Sequence, residues 1–203
     1  MAIDLETLKR GDHLRAPRAE GLYHHHGVYI GNGLVIDFGG GGITAKGQAA
    51  VREVTLNEFE DGATAQVVHH PQNFLFGFGM GLPEALPPDE IVARAGYLQG
   101  CQTASRYNLV ASNCEHLANW AVTGGYFESL QVRRLFYAKA VADMVLFYAW
   151  TRDRQRWSPV MRVLPVGIVI VPLYQWLPYR TWRDILKGWP GYPGPEESGE
   201  LGS

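Results

Sequence analysis

At 203 residues, 46% hydrophobic and 19% charged, the chain can bury one good core with an appendage but is short for two full domains. Two cysteines exclude a disulfide framework, and a formal net charge of −2 with no nucleic-acid module argues against nucleic acid as a partner. The opening MAIDLE is acidic and lacks a long apolar run, so we expect no secretory signal, a reducing compartment and a cytoplasmic protein.

In chain order, the first predicted strand lies near residues 12–16. The second covers Tyr23-His24-His25-His26-Gly27-Val28-Tyr29-Ile30, an alternating stretch bounded by glycines. Successive strand side chains point to opposite faces, so His25 projects with Tyr23 and Gly27 while His24 and His26 project the other way. The turn Gly31-Asn32-Gly33 leads into a third strand, Leu34–Phe38, that pairs with the second as a hairpin. Gly39 to Gly42 lack the Gly-Lys-Ser/Thr ending of a phosphate cradle and read as a mobile rim suited to a bulky substrate.

Further strands are expected near 65–70 and 106–110. Pro87-Pro88-Asp89-Glu90 starts a helix through Leu98, with acids in its first turn. A second helix starts near 113, so strands and helices are partly segregated and the fold class is α+β, an antiparallel sheet packed on helices.

Beyond residue 128 the character changes. Counting Lys and Arg against Asp and Glu, residues 1–128 carry 8 against 14, residues 129–189 carry 10 against 3, and residues 190–203 carry none against 3. We therefore divide the chain into a catalytic domain (1–128), a basic, aromatic and apolar extension (129–189) and a flexible acidic tail (190–203). Leu135–Trp150 has helical composition, with Lys139 and Asp143 four apart on one face, but is too short and charged for a membrane span. Residues 163–177 are apolar with two prolines, which fits a buried strand, a broken helix or a re-entrant segment. Arginines and aromatic rings around apolar runs suit a membrane surface, while packing onto the catalytic core is the competing reading.

The chemistry gathers at Asn113-Cys114-Glu115-His116. Cys114 stands in the first turn of a helix, where free N–H groups and the dipole stabilise a thiolate nucleophile. A thiolate needs a base that can return a proton, and His25 supplies it. Asp37, an acid in an apolar strand, can hold the His25 tautomer and stabilise the imidazolium, completing a Cys-His-Asp triad. His116 reads as a local hydrogen-bond partner, Glu115 as a charge favourable to the dipole, and Cys101 as a buried inert thiol. The histidine run does not make a metal site: only His24 and His26 share a face, and nothing in the spacing recruits His69-His70. No cofactor is called for.

These residues resemble the lecithin retinol acyltransferase family and its related small phospholipase/acyltransferases. Gly11-Asp12-His13-Leu14 resembles the family's opening strand, Tyr23–Gly31 its histidine box, Asn113–Trp120 its N-C-E-H-F-V box and Ser129–Arg134 its S-x-Q-V segment. The resemblance implies a circularly permuted papain-like (NlpC-type) fold, catalytic His25 and Cys114, a phospholipid substrate and a C-terminal hydrophobic anchor. It gives Tyr23 a place at the site; Arg133 and Arg134 have the forked donors that suit phosphate. Where the family usually carries a second histidine, twelve residues after His25, this chain has Asp37. An aspartate would stabilise imidazolium more strongly and move the pH optimum up.

The activity expected is acyl transfer or phospholipase A cleavage through a thioester. Two other readings remain: a cysteine amidase or peptidase of the NlpC type, and a non-catalytic lipid-binding or effector module.

Overall fold

A computed structural model describes residues 7–39, 49–70, 84–100, 112–124, 129–152 and 189. Five antiparallel strands, β1 (His13–Arg18), β2 (Tyr23–Gly31), β3 (Leu34–Gly39), β4 (Ala50–Thr55) and β5 (Gln66–Val67), form one sheet in the order β4-β3-β2-β1-β5. Among the described residues four helices accompany it: α1 (Leu56–Glu60), α2 (Pro88–Gly100), α3 (Cys114–Thr123) and α4 (Leu130–Arg152). The α+β class and the antiparallel sheet agree with the sequence expectation.

The first four strands run as a meander. Asn32 and Gly33 both take positive φ, 54° and 73°, as a tight hairpin with right-handed strand twist requires. This turn sets Gly27 opposite Asp37 and Val28 opposite Ile36. β5 returns to the far edge, with Leu14 opposite Val67. It is shorter than the 65–70 strand expected.

Alternation along the strands feeds two cores. Val28, Ile36, Phe38 and Val51 pack with Ile91, Ala95 and Leu98 of α2 and Leu117, Trp120 and Ala121 of α3. Leu14, Ala16, Tyr29 and Val35 pack with Val54, Leu56 and Phe59 around α1. Gly11, at φ +90°, lets α2 approach closely: a Cβ there would lie 2.9 Å from the Pro88 Cα.

β4 and α1 were not expected. Thr55 ends the strand and caps the helix, its hydroxyl accepting from the Glu58 N–H at 3.2 Å while the Glu58 carboxylate accepts from the Thr55 N–H at 2.8 Å.

The start of α4 is buried: Ser129, Leu130 and Val132 are all interior, and Leu130 meets Val68. Farther along, Val141, Met144, Val145, Leu146 and Tyr148 are exposed, and Lys139 pairs with Asp143 at 2.8 Å. No described helix is long and apolar enough to cross a membrane. Trp189 meets Tyr97 and Trp120 edge-on, and Arg94 stacks on Trp120 with its Cζ 4.2 Å from the ring centroid. The expected strand at 106–110, the segment 163–177, Cys101, Gly40 to Gly42 and the tail lie outside the described residues.

Phe59 is almost wholly buried between α1 and the sheet and packs on the His25 ring. Phe59→Ala is expected to cost about 3–5 kcal/mol of unfolding free energy, read from urea denaturation followed by circular dichroism.

Candidate active site

Asn113 begins α3 because it is an extended residue whose side-chain oxygen accepts from the Glu115 N–H at 2.9 Å and the His116 N–H at 3.1 Å. His116 closes the reciprocal bond, its Nδ1 facing the Asn113 N–H at 3.4 Å. Burial lowers the His116 imidazole to about 4, although nearby Glu115 opposes the shift. His116 is thus a neutral part of the cap, the local role expected of it. The box leaves Cys114 as the first residue of the helix, buried in the core.

The hairpin brings the second and third groups to the thiol. His25 and Asp37 lie on adjacent strands, with His25 Nε2 2.8 Å from Asp37 Oδ2. The same ring also interacts electrostatically with Cys114. Nε2 is committed to the carboxylate, so Nδ1 is the nitrogen that serves the sulfur. Gly39 permits this arrangement, because a Cβ there would sit 3.2 Å from both the His25 Cε1 and the Asp37 Oδ2.

Asp37 is 1% exposed and His25 16%. Burial works to lower the imidazole, but the charge of Cys114 and the hydrogen bond to Asp37 outweigh it and raise His25 to about 9. The second carboxylate oxygen of Asp37 accepts from Arg52 Nε at 3.1 Å. The site therefore combines a thiol at a helix N-terminus, an imidazole of raised basicity and a buried carboxylate.

A different set of groups gathers around His24 and His26. Gln131, in the first turn of α4, accepts the His24 N–H at 2.6 Å and donates to the His24 carbonyl at 3.1 Å. The backbone donor fixes which amide atom is oxygen, so the Gln131 amide nitrogen is the donor to His26 Nε2 at 3.1 Å. The direction then propagates: His26 Nδ1 donates to His13 Nε2 at 2.8 Å, and His13 Nδ1 donates to His70 Nε2 at 3.0 Å. Burial, assisted by neighbouring histidines, holds His13 and His26 well below the usual imidazole value. Both are neutral, and both spend each ring nitrogen on a hydrogen bond.

Glu115 ties α4 to this cluster. Its buried carboxylate accepts from the Ser129 hydroxyl, from the Leu130 N–H at 3.0 Å, from the Gln131 N–H at 3.2 Å and from the Gln131 side chain at 3.1 Å. The residue stands in the first turn of α3, as expected, but its carboxylate serves the N-terminus of α4.

Of the remaining sequence candidates, Tyr23 opens β2 opposite Arg18 and is half-buried. Arg134 is exposed and helps line a polar cavity of about 50 Å³ with Arg15, His24, His26 and Gln131. Neither Cys114 nor His25 lines that cavity. Arg133 lies on α4, its side chain outside the described ones. Among the described residues no group of three His, Cys, Asp or Glu side chains could hold a metal ion. Sequence reading missed Arg52 and gave Gln131 no role beyond its motif. The latter was marked by the S-x-Q-V segment; the former has no local signature.

Fold and site together define an α+β protein carrying a cysteine–histidine–carboxylate constellation. The lecithin retinol acyltransferase family model matches residues 6–127, and the chain belongs to that family. Membership places it with acyltransferase and phospholipase-type activity on lipid substrates. A comparison with curated proteins found no match.

The histidines make stability depend on pH in a stated direction. His13, His26 and His116 titrate below 6.5 when folded, so below pH 6.5 the unfolded chain binds protons the native state refuses, and stability falls. His25 acts oppositely: its contribution is complete below 6.5 and is lost as pH rises towards about 9. Thermal unfolding is expected to shift to lower temperature between pH 6.5 and 5. His26→Gln should make that fall shallower, by up to ~1.4 kcal/mol per pH unit, as calorimetry would show.

Proposed function

We propose that the protein is a cysteine-dependent acyltransferase or phospholipase A that cleaves glycerophospholipid esters through a thioester. The observation that carries this reading is the single His25 ring hydrogen-bonded to Asp37 while interacting electrostatically with Cys114, which stands at the start of a helix. Membership of the family supplies the lipid class.

In this mechanism the Cys114 thiol proton passes to His25 Nδ1, Cys114 Sγ attacks the ester carbonyl carbon, and the C=O π electrons pass to oxygen. Asn113 occupies the N–H groups of Glu115 and His116, and its carbonyl accepts that of Leu117 at 3.2 Å. The Cys114 N–H is the first-turn donor left to face the oxyanion. Collapse breaks the ester C–O bond, and the leaving alcohol takes the proton from His25 Nδ1, producing an acyl-cysteine. His25 then removes a proton from the acceptor, which attacks the thioester and expels Sγ. Water as acceptor gives a fatty acid; an alcohol, amine or lysolipid gives acyl transfer.

The order His25, Asp37, Cys114, with the nucleophile last, supports a circularly permuted papain-like arrangement. The apolar residues exposed on α4, beside Arg134 and Lys139, support an extension over 129–189 that rests against a lipid surface. The protein then works as a peripheral membrane enzyme of the cytoplasm.

The test is intact-protein mass spectrometry after brief incubation with mixed-chain phosphatidylcholine. Wild type is expected to gain a fatty-acyl mass that hydroxylamine removes, while Cys114→Ala gains none and His25→Ala acylates about 10²–10⁴-fold more slowly. No adduct and no released fatty acid would overturn the phospholipid reading; cleavage of a peptide instead would favour the amidase.

A further inference from the structure

Asp37 sets the electrostatics of the site, because it places a carboxylate inside the sheet beside His25. A histidine there can stay neutral. An aspartate brings negative charge to a position 1% exposed, and a buried charge without partners is strongly unfavourable. His25 answers it only while protonated, so a second, permanent counter-charge is required if the imidazole is to release its proton during turnover.

Arg52 meets that requirement by register. It is the direct cross-strand partner of Asp37 in the β3–β4 pair, and its Nε lies 3.1 Å from Asp37 Oδ1 while His25 Nε2 lies 2.8 Å from Oδ2. The two donors use different oxygens, so neither displaces the other. The Arg52 side chain remains 47% exposed, which leaves its charge partly solvated and spares it the desolvation that a fully buried guanidinium would suffer. Glu58 of α1 also senses Arg52 and Asp37, but its carboxylate is engaged at 2.8 Å by both the Thr55 N–H and hydroxyl in the cap of α1. It does not draw Arg52 away.

Building on the thiol–imidazole reading above, we infer that Arg52 is a positioning residue of the site: it holds the Asp37 carboxylate oriented, and offsets enough of its charge for His25 to give up a proton as well as keep one. The charged groups that act directly on His25 are then Cys114 from α3 and Asp37 from β3, and Arg52 on β4 reaches it only through the far oxygen of Asp37. Glu58 lies beyond them on α1, and His26, the neighbour on β2, is neutral. Removing Arg52 deletes the one cation of this set that does not titrate, so the His25 proton is held more tightly.

The experiment is an NMR titration of the His25 ring in the full chain with Cys114 intact, for wild type, Arg52→Gln and Arg52→Lys, and again in an Asp37→His background. Arg52→Gln is expected to move the His25 midpoint upward by about one unit, Arg52→Lys by less, and Arg52→Gln in the Asp37→His background by much less than in wild type. An unmoved midpoint in Arg52→Gln, or an equal movement in both backgrounds, would overturn the inference. Should Arg52→Gln be too unstable to titrate, stability decides: Asp37→Asn/Arg52→Gln is expected to fold where the single variant does not, and equal loss in both backgrounds would sink the idea. The titration needs no turnover, so a positive result alongside a failed phosphatidylcholine experiment would retain Arg52 and reject the substrate.

Discussion

The register of the β2–β3 hairpin decides which imidazole meets which carboxylate. Three consecutive histidines stand on β2, and a slip of one residue would exchange their faces, presenting His24 or His26 to Asp37 and His25 to the α4 side. The Asn32-Gly33 turn prevents this, because its left-handed backbone selects a two-residue connection. Once Gly27 stands opposite Asp37, the ring of His25 lies over Gly39 and its Nε2 reaches the carboxylate. The cap of α3 then delivers Cys114 to the remaining nitrogen.

Two buried carboxylates flank this arrangement and are stabilised by different means. Asp37 meets formal charge, from Arg52 and from His25 when protonated. Glu115 meets dipoles: a hydroxyl, two backbone N–H groups and an amide at the head of α4. The first is tied to a titrating partner, whereas the second relies on donors that carry no formal charge. The neutral chain from Gln131 through His26 and His13 to His70 extends that second, dipolar network across the sheet.

Much of this was legible along the chain because local rules governed it. Alternation marked β2, the Asn-Gly turn marked the hairpin, and a cap residue before an apolar run marked α3. The short β4 was obscured by Arg52 and Glu53, which break its apolar run, and α1 behind it is a single short turn whose capping box at Thr55 and Glu58 is its only local signal. The helix expected from Leu135 begins at Leu130, since the groups that cap it belong to Glu115, fifteen residues earlier. Arg52, His13 and His70 reach their partners only through sheet pairing or folding over long separations, and no window of sequence contains those meetings. Asp37 was visible as an acid in an apolar strand; the arginine that pairs with it was not.

The anchoring of α4 has a mechanical consequence. A 23-residue helix is about 34 Å long, and its buried described residues lie in its opening turn, at Leu130 and Val132. It is a lever whose fulcrum is the Glu115–Gln131 contact. One side of that fulcrum is the residue after Cys114, and the other is the His24 backbone, the residue before His25. A sideways load applied near Tyr148 is therefore delivered, with leverage, to the two peptide units that fix the distance between sulfur and imidazole.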